Sequence, residues 1–327
     1  MKSIPKAEIH CHIEGAASPD LAALQARKYG VDISKVINGD SYKWQDFISF
    51  LEVYDLVANL FRTREDYRLL SKTYLTSLAD EGAIYSEFFI STDHARSAGI
   101  DPEEYILGLA DGIEDARKEK GIEARMIATG LRHMGPKAVL ELARWIASNS
   151  HPLVTGFGMA GDERMYEVPE FSPAFDIARE AGLGISTHAG ELCGPESVRL
   201  SIEHLSPERI GHGVRAMEDP ELVELIAEKE IVLETCPCSN IALGIYPDFA
   251  NHPVPKLVEA GCLITLSSDD PPHFGTSIGN EYRIAGDHFG FDDKALMRFT
   301  VNAIEAAFID GETRKRLLEK CGYKGLG

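Results

Sequence analysis

The feature that most limits how this chain can fold is a recurrence. Eight short strand-like runs are spaced along it: "AEIHCHI", "AIYSEFFI", "ARMIATG", "PLVTGFGM", "GISTHAG", "RIGHG", "IVLETC" and "LITLSS". Between them stand stretches with apolar residues three to four apart. In "EDYRLLSKTYLTSL", Tyr67, Leu70, Tyr74 and Leu78 form one such stripe. Alternation of strand and helix, with no change of composition along the chain, predicts parallel strands joined by helical crossovers. Such a sheet either stays open and doubly wound or closes on itself. Eight strands favour closure, an α/β fold of the (β/α)8 barrel (TIM barrel) type. Residues 1–327 are then expected to form a single domain.

Local signals mark several boundaries. In "FSPAFDIAREAG", Ser172 is the expected N-cap, Pro173 the first helical residue and Gly182 the stop. "EDPELVELIAEKE" repeats that start at Asp219 and Pro220, and "FDDKALMRFTVNAIEAAFI" reads as a late amphipathic helix. The first crossover, from about Gly15 to Gly82, is too long for one helix. Its "YKWQDFISFLEVYDLVANLF" predicts extra helices after the first strand, placed as a cover over one end.

Charge excludes some partners. Acidic residues outnumber basic ones 52 to 33, for a net charge of -19, which disfavours a long nucleic acid or an anionic membrane. No apolar run is long enough to span a bilayer, and "MKSIPKAEIH" lacks the apolar stretch of a secretory signal. The cysteines, several inside strand-like runs, read as small buried hydrophobes of a reduced, cytoplasmic protein.

The chemistry is concentrated where the strands end. His10 and His12 finish the first run, with Glu14 after them; "AGDE" follows the fourth run, "HAGE" the fifth, "GHG" the sixth and "SSDD" the eighth. In a parallel barrel these ends open onto one face, which carries the active site. His10 and His12, two apart on a strand, point the same way. His188 adds a third imidazole, and Asp269 supplies an oxygen. That set suits one zinc ion with room left for water. Glu191, three residues past His188, stands beside such an ion without binding it, placed to act as a general acid. His212 lies between two glycines and is placed to orient a water or take its proton. Asp270 points away from its neighbour and is free for substrate, although a helix N-cap before Pro271 explains the pair "DD" equally well.

Two rival motifs fail on physical grounds. "GFGMAG", Gly156 to Gly161, matches the dinucleotide fingerprint in letters, but Asp162 and Glu163 follow at once and would repel a pyrophosphate. "HIE" at His12 to Glu14 matches the start of the small zinc deaminase motif, but Cys236-Pro237-Cys238 does not supply the required P-C-x-x-C.

Taken in order, "PKAEIHCHIEG", "GMAGDE", "STHAGE", "RIGHGV", "CPCSN" and "LSSDDPP" resemble the adenosine/adenine deaminase family of the amidohydrolase superfamily. The resemblance runs nearly end to end. It implies one Zn2+ per chain, held by His10, His12, His188 and Asp269. It implies Glu191 as proton donor to purine N1, and His212 with Asp269 as handlers of the attacking hydroxide. Substrate contacts are expected from His12, from Glu14, from the Gly161 backbone N–H at N3 and from Asp270 at N7. Binuclear relatives carry a lysine at the fourth strand's end, and "LVTGFGMAG" has none. The expected reaction is deamination of adenosine or 2'-deoxyadenosine to inosine. Adenine to hypoxanthine is the alternative, followed by another N6-substituted purine. Glu14 stands where adenosine-specific members usually carry a sugar-contacting Asp. "YSEFFIS" lacks an arginine often found in them. A small purine is the one partner implied.

Overall fold

The computed structural model describes residues 4–149 and 151–322. Eight parallel strands follow one another around a barrel in chain order: β1 (Lys6–Glu8), β2 (Ala83–Ile90), β3 (Glu123–Leu131), β4 (Val154–Ala160), β5 (Gly184–Ala189), β6 (Arg209–His212), β7 (Val232–Thr235) and β8 (Ile264–Leu266). The last strand meets the first just beyond their paired ends, through a parallel bridge between Cys11 and Asp269. There the His12 N–H donates to the Asp269 carbonyl at 3.0 Å, and the Asp269 N–H to the His10 carbonyl at 3.2 Å. The ring is nearly closed, as eight runs predict.

The strands read as apolar runs because helices cover them outside and side chains fill the barrel inside. In β2 every residue but Ile84 is buried. The first run is longer in sequence than β1. Past Glu8 its partners alternate between neighbours: the Phe89 N–H bonds the Cys11 carbonyl at 2.8 Å, and the other side bonds Asp269. His10 and His12 therefore lie in extended chain at the barrel's carboxyl end.

The long first crossover contains α1 (Pro19–Tyr29), a hairpin of two-residue strands (Ile37–Asn38 and Ser41–Tyr42), α2 (Phe47–Ala58) and α3 (Arg64–Asp80). The stripe Tyr67, Leu70, Tyr74 and Leu78 is buried, making α3 the barrel's own crossover helix. Asp46 and Ser49 start α2 with a reciprocal cap: the Asp46 carboxylate accepts from the Ser49 N–H at 2.8 Å, and the Ser49 hydroxyl oxygen from the Asp46 N–H at 2.9 Å. Phe50 and Tyr54 of α2 pack with Phe274, beside the end of β8. The Trp44 indole N–H donates to the His273 carbonyl at 2.9 Å, tying the same cover down.

Asp219 caps its helix as expected, accepting from the Glu221 and Leu222 N–H groups. Ser172 does not cap. A 3-10 turn, Val168–Phe171, already brings the chain in helically, so Ser172 is the first helical residue and Phe171 takes the cap position. Of the "GFGMAG" glycines, Gly156 and Gly158 lie along β4 and Gly161 just past it, and none opens a helix. Among the described residues, no helix is long and apolar enough to cross a membrane.

Candidate active site

At the carboxyl end of the barrel the expected residues converge. His12, Glu14, Gly161, His188, Glu191, His212, Asp269 and Asp270 all line one cavity. His10 sits just behind it, fully buried. Ligand atoms of His10, His12, His188 and Asp269 lie within 4.8 Å of one another. The Nε2 atoms of His12 and His188 are 3.1 Å apart, and Asp269 Oδ1 is 3.5 Å from Nε2 of both His10 and His12. Donors about 2.0–2.2 Å from a tetrahedral ion stand about 3.3 Å from each other, so these spacings fit a shared cation.

Tautomers fit as well. His10 Nδ1 donates to Glu234 Oε2 at 2.8 Å, which leaves Nε2 with its lone pair; that atom is buried with no hydrogen-bond partner. Burial holds the ring of His12 down to about 3 and that of His188 well below the usual range. Neutral imidazoles are the form a metal binds. Burial opposes ionisation of Asp269, but the closeness of the His10 ring holds its carboxyl low.

Closeness here depends on backbone. Gly211 of β6 faces His10, and a Cβ at that position would stand 2.6 Å from His10 Cε1. Only glycine lets the ring stay where it is. Non-glycine residues pay strain at the site instead: His212 has φ 60° and Asp269 φ 63°.

The proton-handling groups adjoin the quartet. Glu191 Oε1 is 3.6 Å from His212 Nε2, which is 3.9 Å from Asp269 Oδ2. Burial, then the charges of Asp269 and Glu163, push the Glu191 carboxyl well above the usual carboxylate range. Burial lowers His212 to about 4. An acid biased toward keeping its proton and a base biased toward the neutral form therefore stand side by side in the cavity. Asp270 occupies the N-cap position before Pro271, but its side chain makes no capping bond and faces the cavity. Burial and the nearby Asp269 push its carboxyl up too. Glu14 is buried; Tyr105 donates to it at 2.6 Å and Tyr54 at 3.4 Å.

Several supporting residues carry no obvious motif. Ser239 donates to Asp269 Oδ2 at 2.7 Å, and Asn240 Nδ2 lies 3.4 Å from His212 Nδ1. Both belong to "CPCSN", whose thiols do not act as a pair: Cys236 stands near Asp269, while Cys238 accepts from Asn280. Glu234 links His10 to the buried Arg209, which also pairs with Glu87, each ion pair at 2.7 Å. A charged residue in the middle of an otherwise apolar strand was the one available signal for Glu234.

The family model described as adenosine deaminase matches residues 5–323. An adenine deaminase of Chelativorans sp. is 60% identical over 315 residues, covering 96% of this chain and 97% of that protein. The crystal structure of adenine deaminase from Arthrobacter aurescens superposes with a TM-score of 0.91 at 27% identity, covering 98% of both chains. An amidohydrolase from Burkholderia ambifaria, solved with bound zinc, gives 0.89 at 26% identity over 98% of this chain and 90% of that one. Matched over nearly its whole length, the chain belongs to the adenosine deaminase family and is a purine deaminase of the metal-dependent hydrolases.

Proposed function

We propose that this chain hydrolyses free adenine to hypoxanthine and ammonia, with one zinc ion held by His10, His12, His188 and Asp269. The carrying observation is that these four donors converge, three of them lining one cavity with Glu191 and His212 and His10 just behind it. The mixed imidazole and carboxylate set suits zinc, and the similar Burkholderia protein was solved with that ion. The ion, when bound, supplies a water acidic enough to attack near neutral pH.

The remaining steps belong to side chains. Glu191 enters uncharged and gives its proton to purine N1 as attack at the neighbouring carbon moves an electron pair onto that nitrogen. His212, neutral and steadied by Asn240, orients the attacking water, and Asp269 shares in accepting its proton. Asp270, also protonated, has an O–H to offer N7, and the Gly161 N–H reaches for N3. Return of a proton to the exocyclic nitrogen lets ammonia leave and the ring carbonyl form.

Adenine replaces adenosine as the preferred substrate on two grounds. The Chelativorans relative is an adenine deaminase. In addition, the Glu14 carboxylate is already committed to two buried phenols rather than open to a sugar hydroxyl. Unpaired cysteines suit a reducing compartment such as the cytoplasm. The test is kcat/KM for adenine, adenosine, 2'-deoxyadenosine and N6-methyladenine, followed by ultraviolet absorbance and ammonia release. Adenine should exceed adenosine by about 10²-fold or more, the scale set by mismatched buried polar groups. Equal or faster turnover of adenosine would restore the nucleoside reading, and a preference for N6-methyladenine would favour the modified-purine one.

A further inference from the structure

The loop after β4 carries a second acid that the reaction as described leaves unused. In "AGDE", Asp162 turns outward and pairs with Arg164 at 2.7 Å, while Glu163 turns inward and is 3% exposed. Arg132 and Arg215 act on its carboxylate through their charge, but among the described residues no cation pairs with it directly. The carboxylate meets four consecutive backbone N–H groups of the loop after β5. Oε1 accepts from Gly190 at 2.6 Å; Oε2 accepts from Glu191 at 3.2 Å, Leu192 at 2.8 Å and Cys193 at 2.9 Å. The Ser197 hydroxyl, at the start of the following helix, donates to Oε1 as well. Gly190 sits at φ 69°, the left-handed step that lets successive amides turn toward one anion.

The same loop is held from its other side by the chain after β6. The Gly213 N–H donates to the Ala189 carbonyl, the Arg215 N–H to the Gly190 carbonyl and the Arg215 guanidinium to the Leu192 carbonyl. The four residues 190–193 that present Glu191 thus have their N–H groups fixed by Glu163, and two of them, Gly190 and Leu192, have their carbonyls fixed from the chain after His212. Glu163 is also two residues from Gly161, the expected contact to the purine. One side chain therefore couples the element that seats the ring to the element that carries the acid.

We propose that Glu163 is a positioning residue, whose carboxylate sets the backbone that aims Glu191 at the ring nitrogen. The inference rests on the reading of Glu191 as proton donor. Charge and length both matter. All five partners are N–H or O–H groups, so a carboxamide would turn its own NH2 toward donors and leave a backbone N–H unpaired. Aspartate would keep the charge but fall short by a methylene.

The experiment is a double-mutant cycle on the metal-loaded enzyme with adenine as substrate, using Glu163→Gln, Glu191→Gln and the pair. Glu163→Gln should keep its metal content and a KM within about threefold of the parent, and lose kcat by about 10- to 10³-fold, part of what a general acid contributes. In the Glu191→Gln background the same change should cost no more than about twofold, because the group it aims is already gone. A fastener with no link to the acid would instead multiply the two losses, and that result would overturn the inference. If Glu163→Gln yields no soluble protein, Glu163→Asp enters the same cycle with the same criterion. Wild-type turnover by Glu163→Gln beside an impaired Glu191→Gln removes the inference alone. Wild-type turnover by Glu191→Gln removes the proton-donor reading and the inference with it.

Discussion

His212 and Asp269 hold left-handed backbone that side chains other than glycine rarely adopt, and both stand where a strand ends at the cavity. Neighbours help to hold them there: Asn240 and Ser239 reach the two side chains from the short helix Pro237–Ala242 after β7. Glu234 does comparable work beneath His10, and its effect is separable from turnover. Glu234→Gln keeps an acceptor for His10 Nδ1–H but weakens its polarisation and the balance with Arg209. Metal affinity, measured by competition with a chromogenic chelator, should fall by about 10- to 100-fold. Unchanged affinity would show that His10 is oriented without this carboxylate. These residues were hard to read from sequence for a common reason. His10, His12, His188 and Asp269 are recognisable because strand ends of a parallel barrel share one face. Glu163, Glu234, Ser239 and Asn240 act through another side chain or a loop, and no spacing rule connects them to it.

At the level of elements, α2 decides access. Phe47, Phe50, Leu51 and Tyr54 line the cavity from above, and the helix begins at an exposed cap. Asp46→Ala should cost about 1 kcal/mol of local stability. Hydrogen exchange should quicken across residues 47–58 before the barrel strands exchange, and KM for adenine should rise more than kcat falls. Uniform exchange across the molecule would show that the cover does not open independently. That a cover existed was legible in the excess length of the first crossover. Its seat on Phe274 and His273 was not, since packing between distant segments leaves no periodic trace. Helix ends were mixed in the same way. Asp219 follows the capping rule, whereas at Ser172 a preceding 3-10 turn, invisible to pattern, moves the boundary.

For the molecule as a whole, buried carboxyls away from the cavity contribute to how stability depends on pH. Glu281 is fully buried, and burial raises it from 4.5 to about 7, against bonds from Thr276 and Cys238 that pull the other way. A folded-state value above the unfolded one means that the proton stabilises the fold. That contribution is complete below pH 4.5 and is lost as pH rises through 7. Glu281→Gln, a stand-in for the protonated acid, should leave Tm near the parent's at pH 5 and raise it at pH 8, by up to about 3 kcal/mol in stability. Parallel Tm curves for the two proteins would assign the alkaline loss elsewhere.

The barrel's closure carries a last consequence. Just past β1 and β8 the two chains are joined by the Cys11–Asp269 bridge, by bonds from Ser268 to Glu8 and from the Ile9 N–H to Ser267, and that join bears His10, His12 and Asp269. A cation held by these groups would span this joint in the hoop and work as the clasp of a bracelet. Stripping it out would then disarm the chemistry and loosen the ring at the same spot.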